Sequence, residues 1–386
     1  MIFISLLIFF LLSLSLFDIF LLLSPKSKLK IIPRNNSYKL NKLKNTGEYQ
    51  CEVEIVNRSS KKETMVSNLF LRPKFFVDDD LVKLKFEKSI CIDDGISIKN
   101  VNNYWPTVIL KAKSSIKVSI TIRIENEINK KVKYLWLGII WENYGHFGLK
   151  LKENYFLINK DIDHLKERRL NKIRIDNNYE AIAIKTNLLG AFDDPVNTII
   201  KYSKNIIQKG DILVIGETPL AIMQGQYINP KDLEYNFYTK FLCYFFHPTS
   251  SLATACGMQL LINRIGFTRT TISLIIGFFF KVIGVKGIFY RLTGNQSSLI
   301  DDISGTTIPY DKSIVLGPRN PEYICKELSL LLKIDSAVVD VNDLGGVKIL
   351  SCSDNSIKKV LNHVLKINPA GNDDQKTPIL LIRRNN

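Results

Sequence analysis

The sequence lacks the residue patterns that several classes of protein need. Its six cysteines are scattered without a C-x-x-C pair, and its four histidines are equally dispersed along 386 residues. A disulfide framework has denser cysteines in a shorter chain, and a structural zinc site needs ligands at closer spacing. We therefore expect reduced, mostly buried thiols and no structural zinc.

No base-reading module, zinc-finger spacing or basic-aromatic strand pattern accompanies the net charge of +16. Lysine is abundant together with isoleucine and asparagine, a composition typical of AT-rich coding sequence. The excess of positive charge therefore does not indicate binding to DNA or RNA. We predict that the chain has no nucleic-acid partner.

The first 24 residues form an almost unbroken apolar run in which Asp18 is the one charged side chain. A helix of this length extends for about 36 Å, enough to cross the hydrocarbon core of a bilayer. A cleaved signal peptide is the alternative, but the run has neither a basic start nor small residues before a cleavage site. An uncleaved transmembrane anchor at 1–24, in contact with membrane lipid, is favoured.

A basic segment follows this run. Between Pro25 and Asn45 there are seven lysine or arginine residues and no acidic one. The positive-inside rule keeps such a flank in the cytoplasm, and its charges can also bind anionic head groups. We predict a basic juxtamembrane linker at 25–46 in a single-pass protein of the cytoplasmic membrane, with the C-terminal domains in the cytoplasm.

Between residues 47 and 160 the sequence alternates with period two. The clearest example runs from Ile116 to Ile124, where apolar side chains alternate with Lys117, Ser119, Thr121 and Arg123. Several such runs separated by turn residues are typical of a small β-sandwich. No catalytic constellation accompanies them, so 47–160 is predicted to be a sandwich-like spacer or docking domain. A charged linker at 161–177 follows.

Residues 178–386 mix strands and helices. A strand is predicted at Tyr179–Thr186, an amphipathic helix from Val196, a buried strand at Ile212–Ile215, and a β-α-β-β-α-β order in the tail. The predicted fold class of the chain is α+β, with an N-terminal transmembrane helix and a β-sandwich before this domain. The apolar stretch Ile272–Phe280 is expected to be a buried helix, with an interfacial helix as the alternative.

Polar residues in this region mark candidate sites. Glu217 and Thr218 follow the buried strand at Ile212–Ile215, so they can face a pocket rather than the core. Asp193 and Asp194 stand just before the amphipathic helix, and helix capping alone explains an acid there. The polar loop Asn368–Asp374 is expected to be a plain surface loop, with a loop that faces the same pocket as the alternative.

A second polar loop contains hydroxyls and adjacent carboxylates, at Asp301, Asp302, Ser304, Gly305 and Thr306. Oxygen ligands suit Mg²⁺ or Mn²⁺, and a glycine lets backbone amides approach an anion. The alternative is a loop whose aspartates cap turns, which spacing alone favours.

Three stretches of this region resemble the coenzyme F-420 γ-glutamyl ligase family. Gly210-Asp-Ile-Leu-Val-Ile215 is similar to its Gly-Asp-x-Leu-Val-Val strand, and Asp193-Asp194 to its Gly-Asp-Asp-Leu motif. Asp302 and Gly305 align with the Asp and Gly of an Ile-Ser-Asp-Thr/Ser-x-Gly-Arg stretch. The resemblance covers residues 178–386 and is closest to a membrane-anchored, bacterial branch.

The resemblance implies a ligase that phosphorylates a carboxylate and joins it to the amine of glutamate, using GTP or ATP with Mg²⁺ or Mn²⁺. The substrate would be a small molecule, a carboxylate or cofactor precursor, and a homodimer is left open. The implied metal ligands are Asp301 and Asp302. The implied nucleotide- or substrate-binding residues are Asp193, Asp194, Glu217, Thr218, Ser304, Gly305 and Thr306.

The sequence departs from the family at three points. The segment Glu217-Thr-Pro-Leu-Ala-Ile222 has none of the lysines that the family carries after its strand, and Thr306 replaces an arginine. A counterpart of the asparagine-rich nucleotide-facing motif is also missing. Loss of phosphate-binding cations weakens charge-assisted contacts. A non-catalytic, ligase-like binding or scaffold protein at the cytoplasmic face of the membrane is therefore the alternative.

Overall fold

The computed structural model describes residues 13, 16, 27–42, 46–77, 86–93, 97–99, 105–125, 132–145, 147–159, 171–248, 250–294, 297, 300, 307–341, 345–371 and 375–385. The predicted anchor at 1–24 lies outside them, apart from Ser13 and Leu16, which are helical. Among the described residues, no single helix is both long enough and apolar enough to cross a membrane. Ala255–Ile265 and Phe267–Val282 satisfy the same test only as a pair, with a bend of 114° between them.

A β-sandwich occupies the N-terminal half of the described chain. One sheet has the order β1-β3-β8-β5-β6, with β2 also paired to β3, and the other has the order β10-β9-β4-β7. Neighbouring strands are antiparallel throughout. The strands are β1 Leu29–Pro33, β2 Lys39–Lys42, β3 Thr46–Asn57, β4 Thr64–Val77, β5 Phe86–Asp93, β6 Ser97–Lys99, β7 Val108–Leu110, β8 Ser115–Glu125, β9 Val132–Gly145 and β10 Gly148–Asn159.

The alternation predicted for β8 is confirmed. Val118, Ile120, Ile122 and Ile124 are all buried in the core between the two sheets. Side chains of a strand point to opposite faces in turn, so one face packs inward while the polar residues stay outside. Trp105 belongs to the same core and donates its indole N–H to the carbonyl oxygen of Val66 at 3.0 Å.

The prediction of a linker at 25–46 is wrong, because this segment contains β1 and β2. Both strands pair with β3, so much of this basic segment is part of the sandwich. Leu29 and Ile31 enter the core while Lys30 lies on the opposite face of β1, near Arg58 and Arg319. The cations occupy the outer positions of an alternating strand. A prediction from charge alone therefore takes this strand for a linker.

The C-terminal region is built on a mixed sheet of order β11-β12-β18-β13-β16-β17. Only β13 and β16 are parallel neighbours among its described pairs. Its strands, with the short β14–β15 pair, are β11 Asn171–Arg174, β12 Tyr179–Ile184, β13 Ile212–Gly216, β14 Tyr227–Ile228, β15 Ile314–Val315, β16 Asp335–Val341, β17 Val347–Cys352 and β18 Ile379–Arg384. Strand β11 lies within the segment 161–177 that was predicted to be a linker.

Helices cover both faces of this sheet. On one face Ile199, Leu220 and Leu328 pack against the strands, and on the other face Leu361 does. The tail follows the predicted β-α-β-β-α-β order. The helices are α1 Pro195–Ser203, α2 Glu217–Met223, α3 Phe237–Cys243, α4 Ala255–Ile265, α5 Phe267–Val282, α6 Ile288–Thr293, α7 Pro321–Leu332 and α8 Lys358–Val364.

Helices α3 to α6 form a separate layer around α4, whose Met258 and Leu261 are buried. The expectation that Ile272–Phe280 is a buried helix is wrong. Only Thr270 and Ser273 of α5 are buried, whereas Phe278, Phe279 and Phe280 face outward. Composition predicted the helix correctly, but composition does not determine which face of a helix the rest of the chain covers.

Aromatic rings join the β-sandwich to the C-terminal region. Trp136 of β9 stacks on Tyr155 of β10 at 5.8 Å and meets the edge of Tyr310 at 5.1 Å. Tyr227 also contacts Tyr310, and its hydroxyl donates to the backbone carbonyl of Tyr155 at 2.8 Å. The two regions therefore share an apolar interface rather than a polar gap.

Candidate functional site

A cleft of about 230 Å³ opens at one edge of the mixed sheet. Strands β12 and β13 both run antiparallel to β18, and β16 runs parallel to β13, so their carboxyl ends meet there. Ligands of open α/β sheets bind outside the carboxyl ends of strands. The polar residues that follow these strands line this sheet-edge cleft: Thr186 and Asn187 after β12, Glu217 and Thr218 after β13, and Asp340 near the end of β16.

Glu217 and Thr218 occupy the first turn of α2 rather than a loop. Gly216 ends β13 with its amide donating to the carbonyl of Pro378 at 3.0 Å, and the helix begins at the next residue. Pro219 fits this start because the first helical turn needs no backbone N–H from it. Glu217 is 7% exposed, so its carboxylate lies at the base of the cleft rather than at its rim.

The opposite wall is a loop that the sequence placed at the surface. Asn368, Gly371 and Lys376 all line the cleft, and all three have positive φ angles of 46°, 68° and 52°. The amide of Thr186 donates to the carbonyl of Lys376 at 2.9 Å, which fixes the loop against β12. The expectation of a plain surface loop is therefore wrong, and a cation enters the cleft.

Asp193 and Asp194 have structural partners away from this cleft. Asp194 caps α1 by accepting from the amide of Asn197 at 2.9 Å, as the capping interpretation predicted. Asp193 accepts from the amide of Gly190 at 2.7 Å and from the Tyr38 hydroxyl at 3.4 Å. Neither aspartate lines the sheet-edge cleft. The structure thus places this pair at the contact with the β-sandwich.

The predicted metal loop, Asp301 to Thr306 with Asp302, Ser304 and Gly305, lies outside the described residues. Thr307, directly after it, lines the sheet-edge cleft. On the preceding side, Ile300 forms an isolated bridge with Leu316. Within the part of the chain that is described, no group of three or more His, Cys, Asp or Glu residues could hold a metal ion.

A second cleft, of about 300 Å³, lies between the β-sandwich and the C-terminal region. Its walls include Ile32 from β1, Met223 from α2 and Tyr323 from α7, with Arg319 beside them. The Arg319 amide donates to Gln224 Oε1 at 2.6 Å, and its Nε donates to the Gln226 side chain at 2.9 Å. We call this the interdomain cleft.

Cations gather around Arg319. Desolvation, followed by the charges of Arg58, Arg319 and Arg264, lowers the pKa of Lys30, and desolvation with repulsion from Arg319 lowers the pKa of Arg264. Nη1 of Arg264 is buried and has no hydrogen-bond partner among the described residues. Within those residues none of these four cations forms an ion pair. An anion at this place would relieve their mutual repulsion.

Sequence reasoning missed Asp340, Lys376 and Arg319. Asp340 interrupts the apolar run of β16 close to its end, a signal that the strand pattern contains. Lys376 and Arg319 carry no comparable signal, since each follows a turn in a segment without periodicity. Only the packing of distant segments brings them to the clefts.

Comparison with known proteins identifies the β-sandwich. Residues 34–161 match the family model described as the N-terminal Ig-like domain of F420-0:gamma-glutamyl ligase. This match covers about a third of the chain. No curated protein matches the sequence. The N-terminal domain is thus an Ig-like β-sandwich of the kind found in that ligase family.

Solved structures give fold likeness only. The GAE domain of GGA2p from Saccharomyces cerevisiae is 16% identical, with 35% of this chain and 92% of that chain covered and a TM-score of 0.19. A protein from Archaeoglobus fulgidus is 10% identical, with 35% and 96% covered and a TM-score of 0.18. The collagen binding subdomain of Enterococcus faecalis surface protein ACE is 7% identical, with 36% and 98% covered and a TM-score of 0.21.

Proposed function

We propose that this protein is a membrane-tethered, nucleotide- and metal-dependent amide-bond ligase of the γ-glutamyl type. Its substrate would be a small carboxylate or cofactor precursor, with residues 178–386 as the ligase domain in the cytoplasm. The observation that carries the proposal is the match of the β-sandwich to the N-terminal domain of a γ-glutamyl ligase family. The polar cleft at the sheet edge supports it, because the fold offers a site where such a substrate would bind.

In this proposal the sheet-edge cleft holds the reacting groups. Lys376 and the hydroxyl group of Thr218 bind the substrate carboxylate, and Glu217 accepts hydrogen bonds from the incoming amine. A carboxylate oxygen attacks the terminal phosphorus of the nucleotide, and the nucleoside diphosphate leaves. The amine nitrogen then attacks the acyl carbon, phosphate leaves, and the amine loses a proton.

The metal would be held by Asp301 and Asp302, as the family resemblance implies. A divalent ion there offsets the negative charge of the nucleotide phosphates. Thr307 supports this assignment because it attaches the end of that loop to the cleft wall.

The test is thermal unfolding of the full chain in detergent with GTP or ATP, each with Mg²⁺ or Mn²⁺. A ligand at about 100 times its dissociation constant stabilises the folded state by about 2.7 kcal/mol. We expect a metal-dependent rise in Tm that Asp302→Asn and Lys376→Met each reduce. Lys366→Met should leave the rise in Tm unchanged, because Lys366 is exposed and precedes the loop that carries Lys376.

Product formation is the second measurement. The expected product is an amide of L-glutamate with a carboxylate substrate, detected by mass spectrometry with release of inorganic phosphate. A well-folded protein whose Tm responds to neither nucleotide, with or without metal, would favour the non-catalytic scaffold instead. Protease accessibility in inverted membrane vesicles tests the proposed cytoplasmic orientation separately.

A further inference from the structure

Helix α5 has its polar and apolar faces exchanged relative to a helix of a water-soluble domain. Its inner face is made of Thr270 and Ser273, which are buried, and Gly277, where an added Cβ would lie 2.9 Å from the Cβ of Phe289. Phe267 and Leu274 are the half-buried apolar residues of this face. Its outer face carries Ile272 and Phe279, which are 52% and 66% exposed. Surface helices normally bury their apolar stripe and leave the polar face in water.

Helix α3 repeats the arrangement. Phe237 and Phe241 are four residues apart and share a face of α3, Phe245 follows in the turn after the helix, and all three are exposed. Their rings contact one another, at 6.4 and 5.2 Å between centroids. Tyr238 contacts Phe267 at the start of α5 at 5.4 Å, so the two helices belong to one layer.

Exposed apolar side chains concentrate in this layer. More than half of the large apolar residues that are exposed in the described chain lie between residues 237 and 292. Those of α5 and the turn after it are Ile272, Ile275, Phe278, Phe279, Phe280, Val282, Ile283 and Val285. Single exposed apolar residues are ordinary, but a contiguous set of this kind marks a contact surface.

The charge of the same segment identifies the partner. Residues 235–300 contain no aspartate or glutamate, although a segment of this length would hold about six at the average of this chain. It contains six basic residues, and three of them flank the apolar surface: Lys281 at the end of α5, Lys286 in the turn and Arg291 in α6. An apolar surface in a segment whose charged residues are all lysine or arginine suits the boundary between acyl chains and anionic head groups.

The geometry of α5 also favours a lipid surface over a protein partner. Phe278, Phe279 and Phe280 are consecutive, and successive helical residues are about 100° apart around the axis. The three rings therefore cover about 200° of the helix circumference. A flat protein face contacts one stripe of a helix, whereas a fluid lipid boundary can surround this wider arc.

We propose that α3, α5 and the turn before α6 form a membrane-contact surface that lies in the head-group region of an anionic bilayer. This surface is distinct from the predicted anchor at 1–24 and does not depend on the proposed ligase activity. It would hold the C-terminal region against the membrane, with α4 on the side of this layer away from the lipid.

The test places an indole on α5 of the full chain in vesicles of phosphatidylcholine and phosphatidylglycerol. Relative to the emission of Trp105, Trp136 and Trp141 in the wild type, Phe279→Trp should add blue-shifted emission that is quenched by lipids with bromine on their acyl chains. Ile109→Trp, on β7 of the β-sandwich and similarly exposed at 61%, is the matched control and should not be quenched. Because both variants carry the apolar N-terminal run, quenching reports the local contact and not the attachment of the chain.

Charge reversal tests the lipid type. Lys281→Glu with Lys286→Glu should reduce the quenching in Phe279→Trp about threefold, whereas Lys326→Glu on α7 should leave it unchanged. Neutral vesicles without phosphatidylglycerol should reduce it similarly, and quenching that persists there would overturn the anionic part of the proposal. Equal emission with and without bromine, in Phe279→Trp and also in Ile275→Trp, would overturn the contact itself. That result together with concentration-dependent dimerisation would assign the surface to a second copy of the chain.

Discussion

Asp194 can be tested as a helix cap separately from any role as a ligand. Its carboxylate accepts from the Asn197 amide at 2.9 Å and from the Asn35 side chain at 3.2 Å. Replacing an N-cap residue by alanine costs about 1 kcal/mol, whereas asparagine caps almost as well as aspartate. We therefore expect Asp194→Ala to lower the free energy of unfolding by about 1 kcal/mol and Asp194→Asn by a few tenths, measured by urea unfolding.

Nucleotide affinity of the Asp194 variants distinguishes a capping role from a ligand-binding role. If Asp194 only caps α1, the dissociation constants for GTP and ATP stay unchanged in Asp194→Asn. A large loss of nucleotide affinity without a loss of stability would instead assign the residue to the binding site.

Asp232 provides a pH-dependent contribution to stability. Burial, and next the nearby charge of Glu153, raise the pKa of Asp232 to about 6, although its Oδ1 accepts from the Glu153 amide at 3.2 Å. Because the folded pKa lies above the ordinary value of 3.8, folding favours the protonated acid. Its stabilising contribution is present below about pH 4 and is lost as the pH rises through 6.

Asp232→Asn removes this titration while keeping the oxygen that accepts from Glu153. Two pKa units correspond to about 3 kcal/mol, and partial exposure to solvent reduces this to about 1–2 kcal/mol. The variant should therefore match the wild type near pH 4 and exceed it by about that amount at pH 7. Urea unfolding across this range measures the difference, and parallel curves for the two proteins would contradict the assignment.

At the scale of elements, α5 and α6 meet at Gly277. The side chain of Phe289 approaches so closely that a Cβ at position 277 would have to displace it. We expect Gly277→Val to separate the two helices and to cost about 1–3 kcal/mol, as overpacking does. Phe278→Val, at the next position but exposed, should change the free energy of unfolding by less than about 0.5 kcal/mol in detergent.

Elements with a clear period could be predicted, and surfaces set by packing could not. Strand β8 alternates strictly, so its buried face followed from the sequence. The segment after β13 has no helical or strand periodicity in its apolar residues, so helix α2 was not predicted from the sequence. Glu217 was selected because it follows a buried strand, but Lys376 reaches the same cleft from a distant loop. Propensity and periodicity are local, whereas the approach of two distant segments depends on the whole core.

At the scale of the whole molecule, the interdomain cleft depends on both regions. Arg319 lines the cleft from the C-terminal region, and the charges of Lys30 and Arg58 in the β-sandwich act near it. Tripolyphosphate should raise Tm, because an anion in the cleft offsets their repulsion in the folded state only. Arg319→Gln should reduce this rise at least threefold, whereas Lys326→Gln on the exposed face of α7 should not. An equal rise in all three proteins would indicate nonspecific screening.

The aromatic interface determines whether the two regions unfold together. Trp136 is 9% exposed and contacts Tyr155 on its own side and Tyr310 across the interface. Removing a buried tryptophan side chain costs about 3–5 kcal/mol, and here the lost contacts are those that couple the regions. We expect the wild type to unfold in one transition and Trp136→Ala in two.

Hydrogen exchange measured by mass spectrometry distinguishes the two regions in this experiment. In the wild type, amides of β8 and β13 should exchange with the same free energy of opening, because both need global unfolding. In Trp136→Ala these values should diverge by about 2 kcal/mol or more. Leu151→Ala, an exposed change on β10 beside the interface strand, should preserve the common value. Equal values in Trp136→Ala would mean that other contacts, such as the backbone hydrogen bond from Asn36 to Phe192, couple the regions without the ring.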